Sequence, residues 1–487
     1  MKKDIGVLIL VSLTFTGCKD DAPSGIPEPG LGRVTVNKYV SIGNSLTAGY
    51  QAGGLYEDGQ IYSYPNLIAQ QLKIAGAPLG KFEQPIWGNP GSPNALGKAA
   101  RLEILSWPKE GPNIGTSGAN AGVATNSALN RPYDNLGIPG ALISDFLDTT
   151  DFVTKYVTRQ NPFFPHVLRD KSKGNSVFDQ ARKITPKADI VTFWLGNNDV
   201  LLFAVAGGAT VVGNSVVSIA PTPSATFAAQ YASAFDSLRS AFPNAKIIAA
   251  NIPDVRSIPH FTTVGPAVAA KLQGAFAISY QKHGTTGVGD GSSYLTEAHA
   301  PLLTLGAGAY VTKISVATGQ WYKENNVSVP SGIDTTKMFG LDYRNPIPDA
   351  LILDSLEIAM AGAALTAYNQ TIATVAAAKG AALVDINFIF NGIKKNGLKI
   401  GGEIFTADYI SGGLFSLDGI HPSSKGAGIV ANEFIKTMNV KFGMNVPQVD
   451  VSRLPGIPAP LKKYATASML PKISFEDARE MQRVWGK

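Results

Sequence analysis

Residues 38–46 read Lys-Tyr-Val-Ser-Ile-Gly-Asn-Ser-Leu. Tyr39, Val40 and Ile42 favour extended backbone. Gly43 then permits a tight turn, which places Ser45 directly after a strand end. In an open α/β sheet that is the carboxyl edge, where ligands bind. Working outward, the same grammar recurs. A helix pattern runs from Pro65 to Leu72, with Pro65 suited to the first turn and Leu67, Ile68 and Leu72 on one face. Asp189–Leu195 is a continuous apolar run ending at Gly196, and Lys246–Ala250 is another. Thr226–Phe242 and the Ala-rich Asp354–Ala378 have helical period; Ala382–Ile386 reads as a strand and Gly426–Met438 as a closing helix. Short strands apolar on both faces, alternating with helices, predict an α/β fold with a parallel sheet covered by helices.

Two segments break this rhythm. Residues about 75–130 are rich in Gly, Pro, Asn and Ser, and residues about 256–345 mix strand-like pieces with Gly-rich turns. Both are expected to be insertions that shape a substrate entrance. From residue 441 onward the chain reads as a C-terminal extension, proline-bearing and then amphipathic over Ser474–Val484. The main α/β domain is therefore expected over residues 34–440. At 487 residues, 45% hydrophobic, the chain has ample material for a large core. Charged residues reach only 16%, against a usual ~25%. The net charge of +6 comes without long basic runs, so nucleic-acid binding has no support.

The lone cysteine, Cys18, excludes a disulfide framework and a multi-cysteine zinc site. Lys2 and Lys3 precede an apolar segment, Ile5–Phe15, too short to span a bilayer, and Thr16-Gly17-Cys18 follows. This end resembles a bacterial lipobox. It implies a signal peptide over residues 1–17, lipidation of Cys18 and a flexible tether over residues 18–33. Lys19-Asp20-Asp21 resembles an outer-surface export tag of lipoproteins. The expectation is an outer-membrane lipoprotein of the cell envelope, surface-exposed or on the periplasmic face, held by its lipid rather than by a spanning helix.

A serine nucleophile needs a base and a group to orient that base. Of five histidines only His421 sits in a compact acidic setting, Asp418-Gly419-Ile420-His421, three residues from the carboxylate. A carboxylate on Nδ1 would leave Nε2 to accept the serine proton. Taken singly, Gly43–Leu46 reads as a turn and Asp418 as a helix cap. An acyl-transfer site also needs oxyanion donors. Two turns after strand ends suit that need, Asn135–Gly140 and Gly196–Asp199.

In order, the four pieces resemble the sequence blocks of the SGNH (GDSL) hydrolase family. Gly43–Leu46 stands for the first block, with Asn44 where the family usually has Asp. Gly140 matches the second, Gly196–Asp199 the third, and Asp418 with His421 the last. The resemblance implies Ser45 as nucleophile, His421 as base and then acid, and Asp418 as its orienting group. It implies an oxyanion hole of Ser45 N–H, Gly140 N–H and Asn198 Nδ2. The implied fold is a flavodoxin-like three-layer α/β/α sandwich around a five-stranded parallel sheet, with no metal and no organic cofactor. The implied reaction is hydrolysis of a carboxylic or O-acetyl ester, on a small molecule or a glycan, through an acyl-enzyme. Acyl transfer to a sugar hydroxyl, or a non-catalytic glycan- or lipid-binding role, are the alternatives. The loop glycines at 287–291 and 306–308 lack the strand and helix of a nucleotide site. A metal site built from His283 and His299 has no matching motif.

Overall fold

Tyr39–Gly43 (β1) is buried along its whole length, and the sheet grows on both of its edges. Asn135–Gly137 (β2) pairs with it on one side and Ile190–Trp194 (β3) on the other, both parallel. Lys246–Ala250 (β4) follows β3, and Ala382–Val384 (β5) follows β4, again parallel. The order is β2-β1-β3-β4-β5, the flavodoxin-like order whose switch point lies between β1 and β3. The computed structural model describes residues 28–108, 111–150, 154, 161–169, 175–457 and 470–481.

Alternation along each strand divides the core in two. Tyr39, Ile190, Trp194, Ile248 and Val384 face the helices Tyr64–Ile74 (α2) and Ser424–Phe442 (α7). Val40, Ile42, Val191, Phe193 and Ile247 face Ser224–Ala241 (α4) and Ser355–Ala378 (α5). These are the three layers that strands apolar on both faces require. Ser63 caps α2 by accepting from the Asn66 N–H, and Asp354 with Glu357 forms a capping box on α5.

Two elements differ from expectation. Asn135–Gly137, read as a turn, is the edge strand β2; three residues are too few to display alternation, and β1 supplies the pairing. The strand at residue 382 ends at Val384, and Ile386–Asn396 is a helix, α6. Its signal was present, because Ile386, Ile389, Phe390 and Ile393 recur at helical spacing.

Within the first insertion, Leu102–Ser106 and Asn113–Thr116 form an antiparallel pair. The second is a satellite whose core, including Val264, Val268, Leu303, Tyr310 and Phe339, also takes in Leu102 and Ile114 of the first insertion and Ile473 and Ala478 of the C-terminal extension. It closes later than expected, where Leu302–Leu303 pair with Ile352–Leu353. The C-terminal extension returns to the body: Lys472–Ile473 pair parallel with Asn113–Ile114, and Phe475–Met481 is helical. At the other end, Gly30, expected within the tether, exchanges backbone hydrogen bonds with Asn445 at 3.0 and 2.8 Å. The expected signal peptide, Cys18 and the expected export tag lie outside the described residues, as does Gln482–Val484 of the amphipathic piece. Among the described residues no helix is long and apolar enough to cross a membrane.

Ser45–Ala48 (α1) is pressed against β2. A Cβ at Gly137 would lie 2.3 Å from the Ala48 nitrogen and 2.7 Å from the Thr47 carbonyl carbon. These are backbone atoms and cannot swing aside. Gly137→Ala should therefore destabilise the fold by ~1–3 kcal/mol or more, lowering Tm in a thermal melt. An unchanged Tm would contradict this close approach.

Candidate active site

Ser45 is the first residue of α1, directly beyond the carboxyl end of β1, and is 5% exposed. Asn44 caps that helix, its Oδ1 accepting from the Leu46 N–H at 3.1 Å. A carboxylate could do the same, so the amide keeps the turn while removing a charge. The Asn44 Nδ2 is buried without a hydrogen-bond partner among the described residues. Thr47 and Ala48 N–H donate to the Asn44 carbonyl, whereas the Ser45 amide belongs to the first turn that helix geometry leaves unpaired.

His421 lies on the loop that enters α7. Its Nε2 is 2.9 Å from the Ser45 Oγ, and its Nδ1 is 3.0 Å from the Asp418 Oδ2. The Tyr50 ring leans on the imidazole with centroids 4.8 Å apart. Asp418 is 3% exposed, and donors surround it. Its Oδ1 accepts from the Ile420 and His421 N–H groups at 2.9 and 2.8 Å and from the Ser416 hydroxyl at 3.1 Å. Its Oδ2 accepts also from the Gly53 N–H at 3.0 Å. Burial alone would raise this carboxyl's pKa. The His421 charge and the hydrogen bonds outweigh burial, and the net shift is downward.

The other two blocks converge on the same place. Asn198 opens Asn198–Val205 (α3) just beyond β3, and its Nδ2 donates to the Ala141 carbonyl at 2.9 Å. Its second N–H remains for a ligand, since an amide nitrogen carries two. Asp199 accepts from the Ile143 N–H at 3.0 Å and from the Thr222 hydroxyl at 2.9 Å, tying the 140s loop to α3. Asn135 donates to the Thr47 carbonyl at 2.8 Å and accepts from the Gly137 N–H at 2.9 Å. Gly140 lines the same cavity as Ser45, Asn198 and His421. A hydroxyl, an imidazole, a buried carboxylate and an amide donor around one cavity are the parts that acyl transfer requires.

Two cavities meet at Ser45, each of about 860 Å³ including the part open to solvent. One is mixed in character, with Tyr50, Ser92, Asn94, Thr116, Phe163 and Asp477 on its walls. The other is almost wholly apolar, lined by Ile386, Ile389, Phe390 and Ile393 of α6 together with Leu414, Phe415 and Ile429. The first insertion and the C-terminal extension thus shape an entrance. The second insertion does not, beyond Ile258, because its side chains are spent on the satellite core.

Sequence reasoning missed Gly53, Ser416 and Tyr50 as supports of the histidine and its carboxylate. Ser416 is local to Asp418, but Gly53 is 365 residues away from it, and no spacing reveals such a contact. Of the other histidines, His260 is wholly buried behind the Asp418 loop, its N–H donating to the Gly419 carbonyl at 3.0 Å. Burial pushes its imidazole down to about 4, so it is neutral near pH 7.

A profile of the GDSL-like Lipase/Acylhydrolase family matches residues 39–434. Among curated proteins no match is found. Among solved structures, an extracellular lipase from Streptomyces rimosus is similar at 13% identity, over 83% of this chain and 99% of that one, TM-score 0.32. A lipase/acylhydrolase from Enterococcus faecalis is similar at 10% identity, over 85% and 100%, TM-score 0.28. An acetyl xylan esterase from Geobacillus stearothermophilus is similar at 11% identity, over 87% and 100%, TM-score 0.29.

The Asp418 environment generates a paired expectation. Asp418→Asn should lower kcat by ~10⁴, because the amide no longer holds the productive tautomer. Because the folded pKa is depressed, the carboxylate's stabilisation is present above the unfolded value of ~3.9 and is lost as pH falls through the folded one. Acid melts of the variant should therefore lack the loss of stability that the wild type shows from this carboxylate below about pH 4. Wild-type turnover in Asp418→Asn would sink the assignment.

Proposed function

This chain belongs to the GDSL-like lipase/acylhydrolase family and is a carboxylic ester hydrolase, and we propose that it works through a Ser45–His421–Asp418 triad on esters with an extended acyl chain. The observation that carries the reading is the 2.9 Å contact of His421 Nε2 with Ser45 Oγ, backed by Nδ1 on a buried carboxylate.

Ser45 Oγ attacks the ester carbonyl while His421 Nε2 takes its proton. Asp418 stabilises the imidazolium that forms. The oxyanion of the tetrahedral intermediate is met by the Ser45 N–H, the Gly140 N–H and the second N–H of Asn198 Nδ2. Collapse breaks the bond to the alcohol oxygen, which leaves with the proton from Nε2. Water then attacks the acyl-enzyme with the same base, releasing the acid and restoring Ser45.

Substrate class follows from the unlike walls of the two cavities. The trough beside α6 offers isoleucine and phenylalanine side chains and few polar partners. Such a lining suits a hydrocarbon chain. The mixed cavity, with Ser92, Asn94 and Thr116 on its wall, suits the alcohol portion. Each methylene buried in the trough is worth about 0.8 kcal/mol, or roughly fourfold in kcat/KM.

At the N-terminus, the sequence supports anchorage through a lipid on Cys18. Cys18→Ala should move the protein from the membrane to the soluble fraction of cells; unchanged fractionation would refute the anchor.

The site itself is tested with a fluorophosphonate probe and a p-nitrophenyl ester series from two to twelve carbons. One covalent adduct on wild type and none on Ser45→Ala is the expected labelling result. Wild-type kcat/KM should rise from the two-carbon to about the eight-carbon ester. Ile393→Trp, which fills the trough, should remove that rise while sparing the acetate ester. A maximum at acetate that Ile393→Trp leaves alone would point to O-acetyl esters instead. No adduct on folded wild type would favour a binding module. Acylated sugar in place of free acid, when a sugar acceptor is added, would favour transfer.

A further inference from the structure

Away from the catalytic loop, three side chains from separate parts of the chain converge. His283 follows the short strand Ile278–Tyr280, Asp349 opens the turn Asp349–Leu351, and Glu357 lies in the first turn of α5. One imidazole nitrogen and one oxygen from each carboxylate all lie within 4.8 Å of one another. His283 Nδ1 is 3.0 Å from Glu357 Oε1. Sequence reading considered His283 only with His299, which the fold leaves exposed; its partners are carboxylates instead, one of them 74 residues away.

Asp349 sets this cluster apart from an ordinary capped helix start. It is 1% exposed, and neither carboxylate oxygen has a hydrogen-bond partner among the described residues. The Gly284 N–H favours its charge without meeting hydrogen-bond geometry. A buried carboxylate without partners is costly, and a bound cation removes that cost. Burial, and then repulsion from Asp354, push the Asp349 carboxyl up to about 8; burial, and then Asp349, push Glu357 up to about 9.

The surroundings hold the three groups in place. Asp354 Oδ2 accepts from the His283 N–H at 3.1 Å, and its Oδ1 accepts from the Glu357 N–H at 2.8 Å. Glu357 Oε2 is occupied by the Asp354 N–H at 2.8 Å, so Oε1 is the oxygen turned to the cluster. Gly208, at φ 68°, stands where any Cβ would lie 1.6 Å from Glu357 Oε1. The close approach of that carboxylate therefore requires glycine there. The Phe203 ring meets the His283 ring edge-on at 6.2 Å and closes one side.

We infer that His283, Asp349 and Glu357 form a site for one divalent transition-metal ion, Zn²⁺ by preference, that pins the second insertion to the start of α5. One imidazole with two carboxylates is a zinc-type donor set, with room for water in a fourth position, whereas Ca²⁺ and Mg²⁺ favour more oxygens. Ligand bonds of about 2.0–2.2 Å put tetrahedral ligand atoms about 3.4 Å apart, so the cluster contracts by an ångström or so. His283 is 17% exposed at its side chain and supplies the entry path. Two ligating carboxylates neutralise the ion, and no catalytic step passes through it.

The test uses the full chain, stripped with a chelator and titrated with Zn²⁺ by calorimetry, with metal content measured after gel filtration. One Zn²⁺ per chain is expected, with Tm raised by about 3 °C at a hundredfold excess over Kd. Asp349→Asn, which keeps the shape, and His283→Gln should each weaken binding more than about tenfold and cut the Tm shift at the same Zn²⁺ concentration by about half or more. His421→Ala should still bind one Zn²⁺, which separates this site from the catalytic histidine. No stoichiometric zinc on wild type, or binding lost in His421→Ala and retained in Asp349→Asn, would overturn the proposal. The first outcome would leave the cluster to a shared proton or a buried water. The wild-type titration decides the matter even if a variant fails to fold.

Discussion

Everything at the reactive end of this molecule depends on keeping one carboxylate charged in the dry interior. Asp418 is buried, and burial by itself would neutralise it. Donors from three places prevent that: its own loop through Ile420 and His421, the Ser416 hydroxyl, and the Gly53 N–H from the segment after β1. The loop that carries the histidine and the segment that carries the serine are thus joined at a single charged group. Charge-assisted hydrogen bonds are about twice as strong as neutral ones, so this joint also holds the two halves of the site in register.

The sheet explains why those halves face one another. In the order β2-β1-β3-β4-β5, chain leaves β1 and β3 on opposite sides of one crevice. Ser45 stands beyond β1 and Asn198 beyond β3, while Gly140 follows edge strand β2. The apolar trough arises on one side because α6, amphipathic and short, turns Ile389, Phe390 and Ile393 toward the crevice. On the other side the walls come from the first insertion and from Asp477 of the returning C-terminal helix. The difference in wall chemistry gives the two ends of an ester different environments.

The second insertion follows a different logic. It contributes little to either cavity, and its core is continuous with residues of the first insertion and the C-terminal extension. What binds it to the sandwich includes the Leu302–Leu303 pairing with Ile352–Leu353 and, beside that pairing, the polar cluster at the start of α5. Buried carboxylates are an expensive way to join two bodies unless something positive sits between them. That is the physical ground for assigning an ion to the cluster.

Sequence alone determined the sandwich and picked out the candidate reactive groups. Strands such as Ile190–Trp194 must be apolar on both faces to lie between helix layers, and helices such as Ser355–Ala378 must carry their caps locally. Serine after a strand and a histidine three residues from an aspartate are local patterns as well. A three-residue edge strand has no such signature, and β2 was legible only as a turn. The role of α6 in the trough, the Gly53 bond to Asp418 and the meeting of His283 with Asp349 and Glu357 were decided by tertiary structure alone. Each joins residues far apart along the chain, and burial and charge act across space, where sequence spacing carries no information.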